Sequence, residues 1–338
     1  MSPNVEIIFG AGSWKKDSAF EGFDKIQQVV PLLEREGVTT IDTATLYGDS
    51  ELILGRVNAA KTHIIDTKYP GGFASNLATE EEVLRVANES LKRLGMNKVN
   101  IYYLHSPDRR APLAPQLSAI TTLHKEGKIA HFGLSNFLPH EIKDVIRIAK
   151  ENNFLLPTVY QGSYSAIGRL PETELFPLLR EHGISFYAYS PIAGGFLAKD
   201  VDELLQKNTG RWDPESLAGR LYRLLYNKPN MLAGLKLWDE IANEAGVLRA
   251  EMAYRWVVHN SALRGDLGDK VVVGARNLAQ LEESIAWVKK GPLAEQTVKR
   301  IEDIWRLVEG EATLDSYNDG MLKLDGSAEQ TQAGLSKV

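Results

Sequence analysis

The sequence of 338 residues contains no cysteine. This absence excludes disulfides, cysteine-ligated zinc, iron–sulfur clusters and a cysteine nucleophile. The seven histidines are scattered, and none has a ligand-like spacing such as His-Glu-x-x-His, so a zinc site is not expected either. We therefore predict a protein that works without a metal, and the lack of cysteine fits a reducing compartment without requiring one.

Long apolar runs and a surplus of positive charge are also missing. No apolar run approaches the length that spans a bilayer, and residues 1–6 lack the basic region and apolar run of a signal peptide. The formal net charge is −5, whereas a nucleic-acid-binding face is basic. We expect a cytoplasmic protein that binds neither a membrane nor a nucleic acid.

Eight short β-branched runs alternate with longer amphipathic segments. The runs are Val5–Phe9, Thr39–Asp42, His63–Thr67, Val99–Leu104, Ala130–Leu134, Thr158–Gln161, Ser185–Tyr189 and Lys270–Val273. Such apolar runs are typical of parallel strands buried on both faces, and their alternation with helices favours a closed barrel. We therefore predict an α/β fold, a single (β/α)₈ TIM barrel domain over 1–338. Its core covers about 5–310, and its tail, about 311–338, lies over the catalytic face.

Helical periodicity fits seven of the segments between these runs. They are Lys25–Arg35, Glu80–Leu94, Ala114–Glu126, Pro139–Glu151, Glu172–Glu181, Met231–Ala245 and Leu278–Lys289. Thr79 before three glutamates predicts an N-cap followed by acidic residues that the helix dipole favours. Glycines that follow helical segments are predicted C-caps, namely Gly37, Gly95, Gly127 and Gly183.

The segment 194–229 interrupts this rhythm after the seventh predicted strand. It contains several glycines, two prolines and three arginines. In a barrel, a long loop after a strand lies on the catalytic face. A surface excursion would explain this composition, but we favour a lid over a cofactor or substrate.

Four polar residues stand where three successive predicted strands end. Asp42 and Tyr47 follow the second strand, Lys68 closes the third, and His105 closes the fourth. The carboxyl ends of parallel barrel strands meet at one face, and that face carries the chemistry. We therefore expect the four side chains to lie close together.

This set of side chains suits protonation of a carbonyl oxygen. The pKa of a free tyrosine is about 10, and a nearby ammonium lowers it by stabilising the phenolate. Lys68 would do this for Tyr47, and Asp42 would keep Lys68 charged because a buried cation needs a partner. His105 would donate a hydrogen bond to the carbonyl oxygen and orient it.

Each of the four residues also has a purely structural explanation. Asp42 could cap a turn, and Tyr47 could serve packing. Lys68 could be an exposed cation, and His105 could be a satisfied core histidine. Their joint placement at three successive strand ends favours the catalytic interpretation.

Further motifs surround these four residues. They are Asp42–Ala44, Tyr47–Gly48, Leu104–Asp108, Gly127–Ile129, Phe132–Phe137, Val159–Gly162, Glu174–Pro177, Tyr187–Pro191 and Ala193–Gly195. With Lys68 and His105, they resemble the catalytic tetrad and signatures of the aldo-keto reductases, closest to the aflatoxin B1 aldehyde reductase branch. The resemblance implies NADPH-dependent reduction of an aldehyde or ketone to the alcohol. Tyr47 would be the general acid.

The resemblance also implies NADP(H) bound without a Rossmann domain. Gly10–Lys15 has a lysine in place of the third glycine, so the Rossmann fingerprint fails. The carboxamide contacts are assigned to Ser135, Asn136 and Gln161. Tyr189 would stack on the nicotinamide. The pyrophosphate is assigned to the backbone around Ser190, Pro191, Ile192, Gly194 and Gly195, where small residues allow close approach.

A helix start after the eighth strand resembles the adenosine-phosphate segment of the family. The matching positions are Gly274, Arg276, Gln280, Glu283 and Ser284. A helix start favours an anion, and Arg276 adds charge for a 2′-phosphate unless it is merely solvent-exposed. The family usually has Asn where Ser284 stands. The branch also carries an arginine near its end that Leu314–Gly320 lacks, which weakens an acidic aldehyde as substrate.

Aromatic and basic residues are candidates for contact with the substrate. They are Trp14, Tyr69, Arg220, Tyr222, Arg223 and Tyr226. Aromatic walls suit a flat or bulky carbonyl compound, although packing explains each aromatic residue equally well. Arg220 or Arg223 would capture a carboxylate if the substrate carries one.

Two other roles stay open. Potassium-channel β subunits share the tetrad and bind a nicotinamide cofactor while acting on a partner. Against this role, the first strand begins near residue 5, and nothing resembles an N-terminal inactivation peptide. A tailoring reductase of a biosynthetic pathway would share the chemistry. We expect a monomer or a homodimer.

Overall fold

The computed structural model describes residues 5–14, 27–206 and 212–324. Contacts divide the chain into two compact units. The first comprises the described residues of Met1–Gln161, Leu178–Tyr187 and Arg264–Ile285, and the second those of Gly162–Pro177, Ala188–Leu263 and Ala286–Val338. The single domain over 1–338 stays a prediction. Within the described ranges, no helix is long and apolar enough to cross a membrane.

Eight parallel strands form a closed barrel in which spatial order follows sequence order. The strands are β1 (Glu6–Gly10), β2 (Thr40–Asp42), β3 (Ile64–Tyr69), β4 (Val99–Leu104), β5 (Ile129–Ser135), β6 (Val159–Ser163), β7 (Ser185–Tyr189) and β8 (Lys270–Gly274). All of them except the last residues of β6 and β7 belong to the first unit. The predicted fold class is confirmed, because each predicted strand is present with its ends shifted by at most two residues.

Strand register sets the polar residues of β2 and β3 beside residues of the next strand. Asp42 of β2 pairs with Asp66 of β3, and Lys68 of β3 pairs with Tyr103 of β4. The first and last strands close the barrel along five residue pairs, from Glu6 with Lys270 to Gly10 with Gly274. Asp42, Lys68 and Tyr103 thus lie on three neighbouring strands of the first unit.

Helices follow most of the strands. The α-helices of the described ranges are α1 (Val29–Glu36), α2 (Ser50–Arg56), α3 (Glu80–Leu94), α4 (Leu113–Lys125), α5 (Pro139–Asn152), α6 (Pro171–Glu174), α7 (Phe176–Glu181), α8 (Val201–Gln206), α9 (Leu217–Tyr226), α10 (Pro229–Ala245), α11 (Arg249–Arg255), α12 (Leu278–Lys289), α13 (Glu295–Val308) and α14 (Leu322–Leu324). Short 3₁₀ turns cover Ala59–Lys61, Gly71–Phe73, Ala193–Ala198, Gly265–Leu267 and Glu309–Glu311, and π-helical turns cover Trp256–Asn260 and Tyr317–Met321.

The predicted helix ends have the expected chemistry. Thr79 accepts a hydrogen bond from the backbone N–H of Glu82 at 3.2 Å and so caps α3. Left-handed backbone conformations that glycine adopts readily are found at all four predicted C-cap glycines, Gly37, Gly95, Gly127 and Gly183. The predicted helix at Lys25 begins outside the described residues, and its described part is α1.

Two segments differ from the predicted elements. The predicted helix 172–181 is divided into α6 and α7, because Pro177 lacks an N–H and hinders a continuous helix. The long segment after β7, predicted as a loop, contains α8 and α9 in its described part, and residues 207–211 lie outside that part. Ser216 caps α9 by accepting from the N–H of Gly219 at 2.9 Å.

Candidate active site

A buried ion pair lies at the centre of the candidate site. The Nζ of Lys68 donates to both carboxylate oxygens of Asp42, at 2.7 and 2.6 Å, and to the carbonyl of Thr43 at 2.8 Å. The side chains of Lys68 and Asp42 are 0 % and 3 % exposed. Burial lowers the pKa of Lys68, but the charges of Asp42 and Tyr47 outweigh it and raise the pKa above its ordinary value. The ammonium therefore stays protonated across the physiological range.

Tyr47 lies beside this ammonium. The Nζ of Lys68 is 5.0 Å from the centroid of the Tyr47 ring. The ring lies over Gly12, where a Cβ would come within 3.6 Å of it, and Tyr47 keeps partial exposure to solvent. Tyr47 is thus in contact with solvent on one side and close to a fixed positive charge on another.

His105 completes the predicted group of four. Its ring meets the ring of Tyr47 edge-on at 5.7 Å and that of Phe73 at 5.4 Å. Its Nδ1 is buried and has no hydrogen-bond partner among the described residues. Burial, followed by the charge of Lys68, holds the pKa of His105 well below its ordinary value. The imidazole is therefore neutral at neutral pH and carries a single N–H donor.

Two residues predicted to bind the cofactor are hydrogen-bonded to the group of four. Gln161 donates from Nε2 to Asp42 Oδ1 at 3.0 Å. Asn136 donates from Nδ2 to the carbonyl of His105 at 2.8 Å and to Ser135 Oγ at 3.0 Å. Asn136 has a positive φ of 61°, which is uncommon outside glycine and is often found at functional sites. Within the first unit, Gln161 is therefore bonded to the Asp42–Lys68 pair, and Asn136 links His105 to Ser135.

Two buried residues near this group of four, Tyr103 and Asp66, were not predicted from the sequence. Tyr103 lies beneath the site, with its ring centroid 5.5 Å from Lys68 Nζ. Asp66 accepts hydrogen bonds from Asn100 Nδ2 at 2.8 Å and from the N–H of Ile101 at 3.1 Å. Both residues stand two positions before a member of the group of four. Since side chains alternate along a strand, this spacing was the signal that would have found them.

The second unit contains the turn that was assigned to a pyrophosphate. Positive φ angles occur at Ser190, Ala193, Gly194 and Gly195, with values of 57°, 50°, 66° and 97°. Turns that combine right- and left-handed residues direct successive backbone N–H groups toward one concave side, as in an anion-binding nest. Gly194 lies against Tyr222, because a Cβ there would come within 2.2 Å of the ring. The hydroxyl of Tyr189 accepts a long hydrogen bond of 3.5 Å from the N–H of Ser316.

The family of the chain follows from comparison with known proteins. A model of the Aldo/keto reductase family matches residues 6–306. The chain belongs to the aldo/keto reductase family. The predicted resemblance is therefore confirmed, and the protein is an oxidoreductase that acts on carbonyl groups. Aldo/keto reductases generally use a nicotinamide cofactor.

Three relatives of this aldo/keto reductase match it over most of its length. Oxidoreductase sirO of Leptosphaeria maculans is 38 % identical over 326 residues, which cover 92 % of this chain and 98 % of that protein. Aldo-keto reductase family 7 member A3 of Homo sapiens is 40 % identical over 291 residues, 82 % and 87 % of the two chains. Aflatoxin B1 aldehyde reductase member 4 of Homo sapiens is 38 % identical over 288 residues, 81 % and 86 %.

The predicted adenosine-phosphate residues of this aldo/keto reductase lie between the end of β8 and the middle of α12. The backbone N–H of Arg276 donates to Gln280 Oε1 at 2.9 Å, and Ser284 Oγ donates to the carbonyl of Gln280 at 2.8 Å. Gly274 ends β8, and both Arg276 and Glu283 are exposed. Ser284 is fully buried, so its hydroxyl serves the helix in this structure.

The residues predicted to contact substrate have varied environments. Trp14 packs on Phe9 with 5.4 Å between ring centroids, and both Trp14 and Tyr69 are fully buried. Burial, followed by the charges of Glu82 and Asp108, raises the pKa of Tyr69 to about 12. This burial favours packing over substrate contact for both aromatic residues, whose predicted role stays a prediction.

The four remaining candidates belong to the second unit. Arg220 donates to the carbonyl of Glu215 at 3.3 Å, and Arg223 donates to the carbonyl of Trp212 at 3.2 Å. Tyr222 and Tyr226 stack at 6.4 Å. These contacts hold the four side chains against α9 and the residues just before it. Contact of these four residues with the substrate stays a prediction.

Proposed function

We propose that this protein reduces an aldehyde or ketone to the alcohol with NADPH. The observation that carries the proposal is the fully buried Lys68 ammonium, which Asp42 fixes at 5.0 Å from the ring of Tyr47. A buried cation held by a carboxylate stabilises a neighbouring phenolate and so makes tyrosine a usable acid. We therefore assign Tyr47 as the proton donor.

The surrounding residues support this assignment. Neutral His105 has one N–H to offer the carbonyl oxygen, which orients the substrate and stabilises charge that develops on that oxygen. Asp42 keeps Lys68 protonated and receives a hydrogen bond from Gln161. The proton leaves the hydroxyl of Tyr47 for the carbonyl oxygen, and the nearby charge of Lys68 stabilises the resulting phenolate.

Each unit by itself has residues that suit a part of a nicotinamide dinucleotide. In the second unit, backbone with positive φ at Ser190, Ala193, Gly194 and Gly195 is suited to phosphate oxygens. In the first unit, Asn136 and Gln161 have amide side chains of the kind that bind a carboxamide. Tyr189 is assigned to the nicotinamide ring. When bound, the cofactor supplies the hydride. A cytoplasmic location and a monomeric or homodimeric state remain predictions.

The reductase activity itself is the direct test. The purified protein should oxidise NADPH in the presence of aldehydes, ketones or dicarbonyls, followed by the loss of NADPH absorbance. Neutral and carboxylate-bearing compounds of similar size should be compared. Arg220 and Arg223 already donate to backbone carbonyls, so the comparison tests whether they still bind a substrate carboxylate. If no carbonyl compound is reduced while NADPH binds, the protein acts as a cofactor-binding subunit and the proposal is wrong.

Preference for NADPH is assigned to Arg276, which is exposed two residues before the start of α12. The Arg276→Ala variant should raise the KM for NADPH by about tenfold and leave the KM for NADH nearly unchanged, since only NADPH carries the 2′-phosphate. Lys289→Ala removes an exposed cation from the other end of the same helix and is the matched control. Equal changes for both coenzymes in Arg276→Ala would reject the assignment.

A further inference from the structure

The Lys68 ammonium has no hydrogen-bond donor left. An ammonium carries three N–H groups, and those of Lys68 are directed at the two oxygens of Asp42 and the carbonyl of Thr43. Its other close neighbours are two aromatic rings, Tyr47 at 5.0 Å and Tyr103 at 5.5 Å from Nζ to centroid. The position of the ammonium is thus set by three hydrogen bonds and two ring faces.

The ring of Tyr103 is held in an unusually narrow space. Tyr103 is fully buried and pairs in register with Lys68 on one side and Gly133 on the other. A Cβ at Gly133 would lie 2.3 Å from Cδ1 of the ring and 2.4 Å from Cε1, closer than Cβ atoms normally approach. Gly133 is the residue that lets the ring lie flat against β5.

The charge state of Tyr103 suits contact with a cation. Burial, followed by the carboxylates of Asp66 and Asp42, raises the pKa of Tyr103 well above its ordinary value. The ring therefore stays neutral. A neutral aromatic face within about 6 Å attracts an ammonium, most strongly where water is excluded.

We propose that Tyr103, supported by Gly133, is a positioning residue that holds the Lys68 ammonium beside Tyr47. This inference rests on the proposed function, in which Tyr47 donates the proton. Without the ring, Lys68 would keep its hydrogen bonds to Asp42 but gain freedom to move from Tyr47. The phenolate of Tyr47 would then be less stable, and the tyrosine would be a poorer acid.

A titration of Tyr47 must separate its ionisation from that of the other ionisable groups that face Lys68. They are Asp42 from β2, Tyr47 from the loop after β2, Asp66 from β3 itself, Tyr103 from β4 and His105 from the end of β4. Ionisation of Tyr47 is therefore read as a difference. The ultraviolet absorbance of tyrosinate is recorded against pH for each protein and for the same protein carrying Tyr47→Phe, without cofactor or substrate.

Two substitutions of Tyr103 separate the ring from the hydroxyl. Tyr103→Leu should raise the midpoint of Tyr47 ionisation by about one pH unit and lower kcat about tenfold, equivalent to about 1.4 kcal/mol. The KM should stay within about twofold, because the ring acts on the proton donor and not on substrate binding. Tyr103→Phe keeps the ring and should retain both the midpoint and kcat.

Substitution of Gly133 tests the same inference from the other side. Gly133→Ala should displace the ring, lower kcat and lower the stability of the protein. The double variant Gly133→Ala/Tyr103→Leu removes the clash and should regain stability without regaining kcat. Recovery of kcat together with stability would show that the ring serves packing alone and would overturn the proposal.

The remaining outcomes are also decisive. A Tyr103→Leu protein that titrates and turns over as the wild type does, or a Tyr103→Phe protein that loses as much as Tyr103→Leu, contradicts the inference. If Gly133→Ala fails to fold, the two Tyr103 variants decide alone. If the wild type reduces no carbonyl, the proposed function fails, whereas the titration without cofactor still reports whether Tyr103 sets the ionisation of Tyr47.

Discussion

Tyr47→Phe is expected to lower carbonyl reduction by about 100- to 10,000-fold, the usual contribution of a positioned general acid. The substitution removes only the hydroxyl from a partly exposed ring that lies beside a fixed ammonium. The phenyl ring keeps the edge contact with His105 and the packing over Gly12. The fold and the binding of NADPH should therefore survive. Steady-state kinetics measure the loss of turnover, and quenching of protein fluorescence measures NADPH binding.

The matched control for this variant is Tyr102→Phe. Tyr102 is a fully buried tyrosine of β4, and it is the neighbouring Tyr103 whose ring lies near Lys68. Removal of the Tyr102 hydroxyl should change kcat less than about twofold. Near-normal turnover in Tyr47→Phe, or equal losses in the two variants, would refute Tyr47 as the proton donor.

A second large effect is expected on stability when Asp66 is replaced by Asn. Asp66 is fully buried, and burial, followed in the same direction by the charge of Asp42, raises its pKa from 3.8 to about 7. Hydrogen bonds from Asn100 and Ile101 and the charge of Lys68 oppose this shift without cancelling it. The folded protein therefore binds a proton at Asp66 that the unfolded chain releases near pH 4.

The sign of the pH dependence follows from this difference in proton binding. Between about pH 4 and pH 7 the folded state holds more protons than the unfolded state, so Asp66 lowers stability progressively as the pH rises. The full loss, about 4 kcal/mol at about 1.4 kcal/mol per pH unit, is reached above pH 7. Asp66→Asn removes this titration. Its free energy of unfolding, relative to the wild type, should rise by up to that amount between about pH 4 and pH 8.

Urea unfolding of both proteins over this pH range measures the effect. Asp108→Asn is the control with the opposite sign. Arg110 and backbone N–H groups outweigh the burial of Asp108 and hold the pKa of that carboxyl below its ordinary value. Asp108 therefore contributes stability that is lost as the pH falls. A constant difference between Asp66→Asn and wild type across the range would mean that Asp66 does not titrate there.

Much of the fold could be predicted because its signals are local. The eight strands are short apolar runs bounded by helix caps, and α3 and α12 begin and end where periodicity places them. The helices α8 and α9 were missed because their segment is rich in glycine and proline, which normally mark loops. The segment of α9 is helical nevertheless, because it packs within the second unit: Gly320 lies against Leu221 and Gly194 against Tyr222.

The candidate site could be predicted only in part. Asp42 and Lys68 were recognised because charged residues at strand ends have a ready chemical meaning, and the structure places them in contact. Tyr103 and Asp66 were passed over because each lies inside an apolar strand, where its partners come from other strands. The burial of Trp14 and Tyr69 likewise depends on packing between distant parts of the chain, which composition does not encode.

The pairing of β1 with β8 has a consequence for the newly made chain. Glu6 and Lys270, which join these strands, are 264 positions apart in sequence. At a synthesis rate of about 5 to 20 residues per second, β1 waits about 13 to 50 s on the ribosome before its second neighbour has been made. Throughout that interval one edge of β1 offers unpaired N–H and C=O groups to other chains. Chaperone binding to ribosome-bound chains that end before β8 should therefore exceed binding to chains released with β8 complete.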